Sequence, residues 1–326
     1  MAFLALICYM TFVDGIYNII NIFKNCNYLW IIAGILIIAF SWTIDAFITN
    51  IGLKIFNKKL NFKESVSNCI LGQFFCNITP SATGGQPFQA YYMNKCKINY
   101  SISYSVLLIK LICFQVSLTI ICGTLIALNF NELTSKIQSF SIIMLTSFLI
   151  NAFIACSLIT IGLKKQIAIT ILKFIFKIMN KIKIFKNREK LFNRIKNEIE
   201  IFNDNFKVIL RKQKTIFYIL FLTMIQILSA YTINIAIAMV FKIKLNFFQM
   251  YKIIIGAACI QISSTFIPIP GAAGGAEVLF FVFYNQIFTT QNLSSALLLW
   301  RLYTFYMPII LGFFFYKNLN KIKQYY

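Results

Sequence analysis

The amino-acid sequence predicts an all-α integral membrane protein, a polytopic helical bundle in which two segments are discontinuous. Of the 326 residues, 59% are hydrophobic and only 12% are charged, and the mean hydropathy is +0.76. A soluble domain needs more charged residues to cover its surface. Several apolar runs reach the roughly 20 residues that a helix needs to cross the hydrocarbon core. Two more are interrupted by proline and paired glycine.

The uninterrupted apolar runs predict membrane-spanning helices at 28–51, 101–128, 137–163, 215–241 and 295–316. Residues 1–13 are apolar but short. They lack a basic start and a small-residue cleavage site, so they predict a truncated or tilted first span rather than a signal peptide. We expect one domain over 1–326.

The two interrupted runs, 62–94 and 247–284, share a pattern. Each opens with Asn-Phe and then contains Pro-x-x-x-Gly-Gly, with Pro80 and Pro270 at matching positions. Irregular backbone at membrane depth is tolerated only where protein or a water-filled cavity satisfies its polar groups. The pattern therefore predicts two re-entrant or discontinuous helices.

Lysine and arginine are unevenly distributed among the loops. The loops at 54–63, 95–97, 164–214 and 317–323 hold 24 of the 31 basic residues. Basic loops stay in the cytoplasm, which predicts a cytoplasmic C-terminus. The two interrupted segments then enter from opposite faces, as in an inverted-topology repeat. The net charge of +22 is accounted for in this way, and we expect no nucleic-acid partner.

The stretch 164–214 holds fifteen basic and four acidic residues, with apolar residues at helical spacing. This composition predicts a basic amphipathic segment on the cytoplasmic membrane surface, anchored on anionic lipid.

The two glycine pairs predict a site for an anionic group. A helix that starts there presents free N–H groups and the positive end of its dipole, and glycine allows a phosphate to approach closely. The alternative is that the glycines only permit tight helix crossing. The candidate substrate-binding residues of the two segments are Thr79, Pro80, Ser81, Thr83, Gly84, Gly85, Gln86, Pro270, Gly271, Gly274 and Gly275.

Four charged residues lie within the predicted spans or directly after the second glycine pair, where each is costly. They are Asp45, Lys110, Glu277 and Arg301. Either Lys110 and Arg301 hold a lipid phosphate, or the two cations pair with Glu277 and Asp45 to fix the bundle. Lys110, Glu277 and Arg301 are candidate site residues, as is Tyr303 beside Arg301.

Residue types exclude several classes of site. The chain has no histidine, so a Ser-His-Asp triad and haem ligation by histidine are impossible. The nine cysteines occur singly, which favours apolar packing over zinc binding. No Gly-x-x-x-x-Gly-Lys-Ser/Thr run is present. We expect no catalytic residue, no metal and no cofactor.

Three ordered motifs resemble those of the lysylphosphatidylglycerol synthase transmembrane-region family. They are NITPSATGGQPFQ at 77–89, PIPGAAGGAE at 268–277 and LWRLY at 299–303, the last followed by Pro308 and Gly312. The family includes the flippase half of the bacterial multiple peptide resistance factor. The resemblance implies a flippase-like protein that moves an anionic or aminoacylated phospholipid, such as lysyl-phosphatidylglycerol, and so contributes to antimicrobial-peptide resistance.

Two other functions stay open. The family name implies phosphatidylglycerol lysyltransferase, but that enzyme needs a soluble synthase domain, which we do not expect in a chain that ends ten residues after its last predicted span. The chain could instead be a non-transporting accessory subunit of a separate synthase. The expected partners are phospholipids, with a homo-oligomer or a separate synthase as further alternatives.

Overall fold

The computed structural model describes residues 26–128, 138–164, 188–264 and 267–322, together with residues 166, 169, 170 and 173. These described residues form helices and turns and contain no β-strand, which confirms the all-α class. The short apolar stretch 1–13 and most of 165–187 lie outside the described residues.

The α-helices are numbered here in chain order. They are α1 (Tyr28–Lys54), α2 (Phe62–Ile78), α3 (Gly85–Lys95), α4 (Tyr100–Leu128), α5 (Gln138–Leu163), α6 (Arg188–Arg211), α7 (Gln213–Tyr231), α8 (Ile233–Val240), α9 (Phe247–Ser264), α10 (Gly275–Tyr284), α11 (Thr290–Arg301) and α12 (Met307–Ile322). Short 3-10 turns at Pro80–Ala82 and Pro270–Ala272 interrupt the two discontinuous segments. A π-helical turn, Leu302–Tyr306, joins α11 to α12.

Five helical stretches are long and apolar enough to cross a membrane, within the described ranges. They are Tyr28–Lys54, Tyr100–Leu125, Gln213–Val240, Phe247–Ser264 and Asn292–Lys317. Four of these match predicted spans. The fifth is α9, the first half of the second discontinuous segment. The span predicted at 137–163 corresponds to α5, a helix of 26 residues.

The first discontinuous segment starts and ends at one end of the bundle. Leu53, Leu60, Met93, Ile98 and Val106 form one buried cluster. That cluster joins the end of α1, the start of α2, the end of α3 and the start of α4, so the α2–α3 hairpin returns to the end from which it departs. We call this the basic end, because Lys54 and Lys95 close the helices that reach it.

The second discontinuous segment starts and ends at the far end. There, the Asn27 N–H before α1 donates to the Val240 carbonyl at the end of α8, at 2.8 Å. The Tyr284 hydroxyl at the end of α10 donates to the Ile253 carbonyl in the second turn of α9, at 3.0 Å. Because α1 runs from this far end to the basic end, the two hairpins enter the bundle from opposite ends, as the inverted repeat requires.

Helix α6 forms the described part of the basic amphipathic stretch. Its apolar residues Phe206 and Ile209 are fully buried among residues of α1 and α4. The Asn203 amide donates to the Gly162 carbonyl of α5 at 2.7 Å. The side of α6 that holds Asn203, Phe206 and Ile209 thus contacts protein. The polar residues Asp204 and Lys207 are exposed, as are the apolar residues Ile201 and Val208. Attachment of the whole 164–214 stretch to a membrane surface stays a prediction.

Candidate functional site

The first three residues of the two hairpin tips have the same backbone conformation, whereas the next matching positions differ, with φ −79° at Gly84 and 87° at Gly274. Each proline starts a 3-10 turn, and the next residue is left-handed, with φ 50° and ψ 27° at Ser81 and φ 62° and ψ 16° at Gly271. The following alanines, Ala82 and Ala272, are left-handed too, with φ values of 54° and 52°. Left-handed backbone costs a non-glycine residue roughly 1–2 kcal/mol. The short sequence match therefore corresponds to a structural repeat.

The two tips contact each other inside the bundle. In the first tip, Pro80, Ser81, Ala82 and Thr83 are exposed. Lipid cannot satisfy the polar groups of an exposed, irregular turn. The meeting point of the tips is therefore a candidate polar cleft. Ser81 is exposed there, and so is Thr83, whose hydroxyl donates to the Pro80 carbonyl at 3.0 Å.

In the first tip, a side chain of the protein caps the start of α3. The Thr79 hydroxyl accepts a hydrogen bond from the Gly84 N–H at 2.9 Å and donates to the Phe75 carbonyl at 2.6 Å. A Cβ added to Gly85 would lie 2.2 Å from Cys76 Sγ. Gly85 is therefore required for the close approach of α2 and α3. This is the alternative role, tight helix crossing, that the sequence left open for the glycines. Gln86 lies partly exposed in the first turn of α3.

In the second tip, a carboxylate takes the place of that hydroxyl. Glu277 Oε2 accepts a hydrogen bond from the Gly274 N–H at 2.7 Å. The φ of Gly274 is 87°, and a Cβ there would meet nothing within 4 Å. At Gly271, a Cβ would lie 2.1 Å from the Phe305 ring. The start of α10 thus carries its own negative charge, where the sequence predicted room for an external anion.

Arg301 fixes the second tip from α11. Its Nη2 lies 2.7 Å from Glu277 Oε2, and Nη1 donates to the Gly271 carbonyl at 2.9 Å. The guanidinium lies over the rings of Trp300 and Phe305, at 4.9 and 5.6 Å. Arg301 is 5% exposed. Among the described residues, Nε and Nη2 have no aligned hydrogen-bond acceptor, so Nη2 and Glu277 form an ion pair without hydrogen-bond alignment.

Lys110 belongs to a second buried ion pair. Its Nζ lies 2.6 Å from Asp45 Oδ2 and 3.4 Å from the Thr49 hydroxyl. Gln226 Nε2 donates to Asp45 Oδ1 at 3.2 Å. The pair joins α1, α4 and α7. Of the two arrangements that the sequence left open, the structure has each cation paired with an acid, and each pair has a formal charge of zero.

Sequence reasoning did not select Asn77 as a site residue. Its amide, at the end of α2, donates to the carbonyls of Thr304 and Phe305, at 3.4 and 3.2 Å. Those carbonyls belong to the π-helical turn, and π-turns within α-helices occur often at functional sites. The available signal was an asparagine in an apolar run, two residues before Thr79-Pro80.

Tyr303 has a packing role in the same turn. It is 1% exposed, and its hydroxyl donates to the Ile31 carbonyl of α1 at 3.0 Å. The last span thus contacts both tips, through Asn77 on the first and through Arg301 on the second.

Comparison with known proteins agrees with the motifs. The sequence profile of the lysylphosphatidylglycerol synthase TM region matches residues 1–312. A UPF0104 membrane protein of Archaeoglobus fulgidus is 23% identical over 297 residues, which is 90% of this chain and 87% of the relative. The match of the profile includes both tips and the last span. The chain therefore belongs to the lysylphosphatidylglycerol synthase transmembrane-region family.

Proposed function

We propose that this protein is flippase-like and moves a phospholipid between leaflets, with the headgroup passing between the two hairpin tips. The observation that carries the proposal is that two left-handed turns from opposite ends of the bundle contact each other, the first exposed and the second half-buried. A transporter built from inverted repeats has its site between such broken helices. The acyl chains would stay in lipid while the headgroup crosses the polar cleft.

The substrate in this proposal is an anionic or aminoacylated phospholipid such as lysyl-phosphatidylglycerol. The family name supports a link to that lipid. The basic end faces the cytoplasm, with the C-terminus, because basic loops are retained there. The protein then acts in the plasma membrane of a bacterium, where exposure of an aminoacylated lipid would lower the negative surface charge and give resistance to cationic peptides.

A vesicle assay tests the proposal. The purified full-length chain is reconstituted with a panel of headgroup-labelled lipids, and the label that reaches the outer leaflet is measured against protein-free vesicles. Thr83 is exposed at the first tip and has an ordinary right-handed backbone, so Thr83→Trp should narrow the cleft without backbone strain. We expect this variant to slow movement at least several-fold.

Phe217→Trp is the matched control, because Phe217 is 73% exposed on α7. Its rate should equal that of the unmodified protein. Absence of movement for every lipid in the panel would overturn the proposal and favour an accessory role. Lipid extraction from cells that express the chain alone separates the remaining alternative, because newly made aminoacyl lipid would identify a phosphatidylglycerol lysyltransferase.

A further inference from the structure

We propose that the outer side of α3 binds one phospholipid from the leaflet at the basic end of the bundle. Lys95 binds the phosphate, and the acyl chains lie along a surface of aromatic rings. We call this surface the aromatic track, and it consists of Phe75 of α2, Phe88 and Tyr91 of α3 and Tyr316 of α12. The lipid-binding surface stands on its own observations. Its use as the position from which lipid enters the cleft between the tips rests on the proposed function.

The outer side of α3 is as long as one membrane leaflet. Phe88, Tyr91 and Lys95 follow one another at intervals of three and four residues, so they lie on one side of the helix. Tyr91 and Lys95 are exposed, whereas Ala90 on the opposite side is fully buried. Helix α3 has 11 residues, which gives a length of about 16 Å, close to half of the roughly 30 Å of the hydrocarbon core. Since α3 runs from the first tip to the basic end, one lipid of that leaflet matches its whole length.

The aromatic track is continuous across three helices. The rings of Phe75 and Phe88 stack with their centroids 3.8 Å apart, which joins α2 to α3. The Tyr316 ring lies 6.0 Å from both of these rings, and the Tyr91 ring lies 5.6 Å from that of Phe88. Tyr91 and Tyr316 are 39% and 44% exposed. Large, rigid rings gain dispersion contacts with an acyl chain at a small cost in side-chain entropy, so the track fits the chains of a bound lipid.

An exposed ammonium group marks the basic end of the aromatic track. Lys95 Nζ lies 5.2 Å from the centroid of the Tyr91 ring, and no carboxylate forms an ion pair with Lys95 in the described ranges. A lysine ammonium is a compact point charge that binds phosphate. The phosphates of the leaflet at the basic end lie just outside the hydrocarbon core, where α3 ends. The charge therefore indicates a phospholipid as the occupant, and a second copy of this chain, with its net charge of +22, fits this position less well.

The other end of the aromatic track adjoins the first tip. Phe75 and Phe88 lie on either side of the turn at Pro80–Ala82, and Ser81 and Thr83 are exposed. A lipid on the track thus has its chains beside the first tip and its phosphate at Lys95. Its headgroup has one helix length, about 16 Å, to travel before it reaches the cleft between the tips.

Photocrosslinking in membranes tests this inference. The photoreactive amino acid p-benzoylphenylalanine replaces Tyr91 in the full-length protein, which is reconstituted in vesicles of phosphatidylethanolamine and phosphatidylglycerol. The mass of the irradiated protein reports covalently attached lipid. Tyr218 of α7 is the matched control position, because it is 52% exposed and its neighbour Ile219 packs in one cluster with Ile55 at the end of α1, close to the basic end. We expect at least several-fold more lipid adducts at 91 than at 218, although 218 is the more exposed position.

Lys95→Gln is the decisive variant, since it removes the charge at an exposed position and leaves the rings in place. We expect the lipid adducts at 91 to fall to the level at 218. Lys95→Arg keeps the charge and should keep the adducts. Lys58→Gln is the matched control, because Lys58 is an exposed lysine at the same end of the bundle, and it should leave the adducts at 91 unchanged.

Equal numbers of lipid adducts at 91 and 218 would overturn the inference, and so would adducts at 91 that persist unchanged in Lys95→Gln. Protein–protein adducts at 91 in place of lipid adducts would also overturn it and identify a second copy as the occupant. Its failure is distinguishable from failure of the proposed function. Selective adducts at 91 in a protein that moves no lipid contradict only the transport proposal, whereas lipid movement with equal adducts at 91 and 218 contradicts only the lipid-binding surface.

Discussion

The buried Lys110–Asp45 pair gives the sharpest stability prediction. Its N–O distance is 2.6 Å, and the side chains of Lys110 and Asp45 are 17% and 7% exposed. At an effective dielectric constant of about 20, charges at that distance attract by roughly 6 kcal/mol. Part of this is offset by the cost of removing both charges from water, so removal of one partner should lower the free energy of unfolding by about 3–5 kcal/mol.

The test uses the variants Lys110→Met and Asp45→Asn, singly and together. The free energy of unfolding of each variant is measured in detergent by increasing the fraction of denaturing surfactant. Each single variant should lose about 3–5 kcal/mol, because it leaves one buried charge without its partner. The double variant has no uncompensated charge and should lose less than about 2 kcal/mol. The difference between the loss in the double variant and the sum of the two single losses measures the interaction free energy of the pair.

Lys58→Met is the matched control, because Lys58 is exposed in the loop after α1. Its stability should change by no more than about 0.5 kcal/mol. Single variants that each lose less than 1 kcal/mol, or a double variant that loses the sum of both, would refute the argument, since either result means that the two charges do not stabilise each other in the folded bundle.

Three further predictions concern the hairpins. Gly85→Ala should lower stability by about 1–3 kcal/mol through overpacking against Cys76, and surfactant unfolding measures the loss. Asn77→Ala should weaken the π-helical turn by about 1–3 kcal/mol, so that amide exchange in 302–306 becomes at least several-fold faster. Asn246→Ala removes the side chain that caps α9 by accepting the Gln249 N–H at 2.8 Å and should cost about 1 kcal/mol, measured in the same unfolding assay.

Each of these three predictions has a result that would contradict it, and the first also has a matched control. Gly123→Ala brings a Cβ only to 3.2 Å from the movable Phe148 ring and should be nearly neutral. Equal losses for Gly85→Ala and Gly123→Ala would contradict the packing argument. Unchanged amide exchange at 302–306 in Asn77→Ala would mean that the turn is stable without that amide. Full stability of Asn246→Ala would show that the cap at α9 is dispensable.

The paired Asn-Phe openings of the two segments illustrate how far local sequence reaches. In the structure, each asparagine directly precedes a helix, and its backbone N–H donates to the side chain three residues later. Asn61 N–H donates to Glu64 at 2.8 Å, and Asn246 N–H donates to Gln249 at 3.0 Å. Capping is a contact between residues three apart. These caps are therefore predictable from the sequence, because each depends only on the asparagine and on the residue three positions later.

The glycine pairs show the opposite case. Their sequence spacing predicted two matching breaks, and the breaks lie at Pro80 and Pro270. The roles of the glycines differ between the two pairs, however. Gly85 is needed because Cys76 of the facing helix is close, while Gly274 is needed for its positive φ. The first role depends on which helix packs alongside, and spacing alone carries no information about that.

The sequence by itself determined the membrane class, most of the spans and the positions of the two breaks. Hydropathy over about 20 residues and the backbone limits of proline and glycine are local properties. Only the tertiary structure decided the partners of the buried charges. Lys110 pairs with the carboxylate of Asp45, 65 residues earlier, and Arg301 pairs with that of Glu277 in the second tip. Helix packing selects these partners, because a buried charge is stable only where the fold brings an opposite charge within contact.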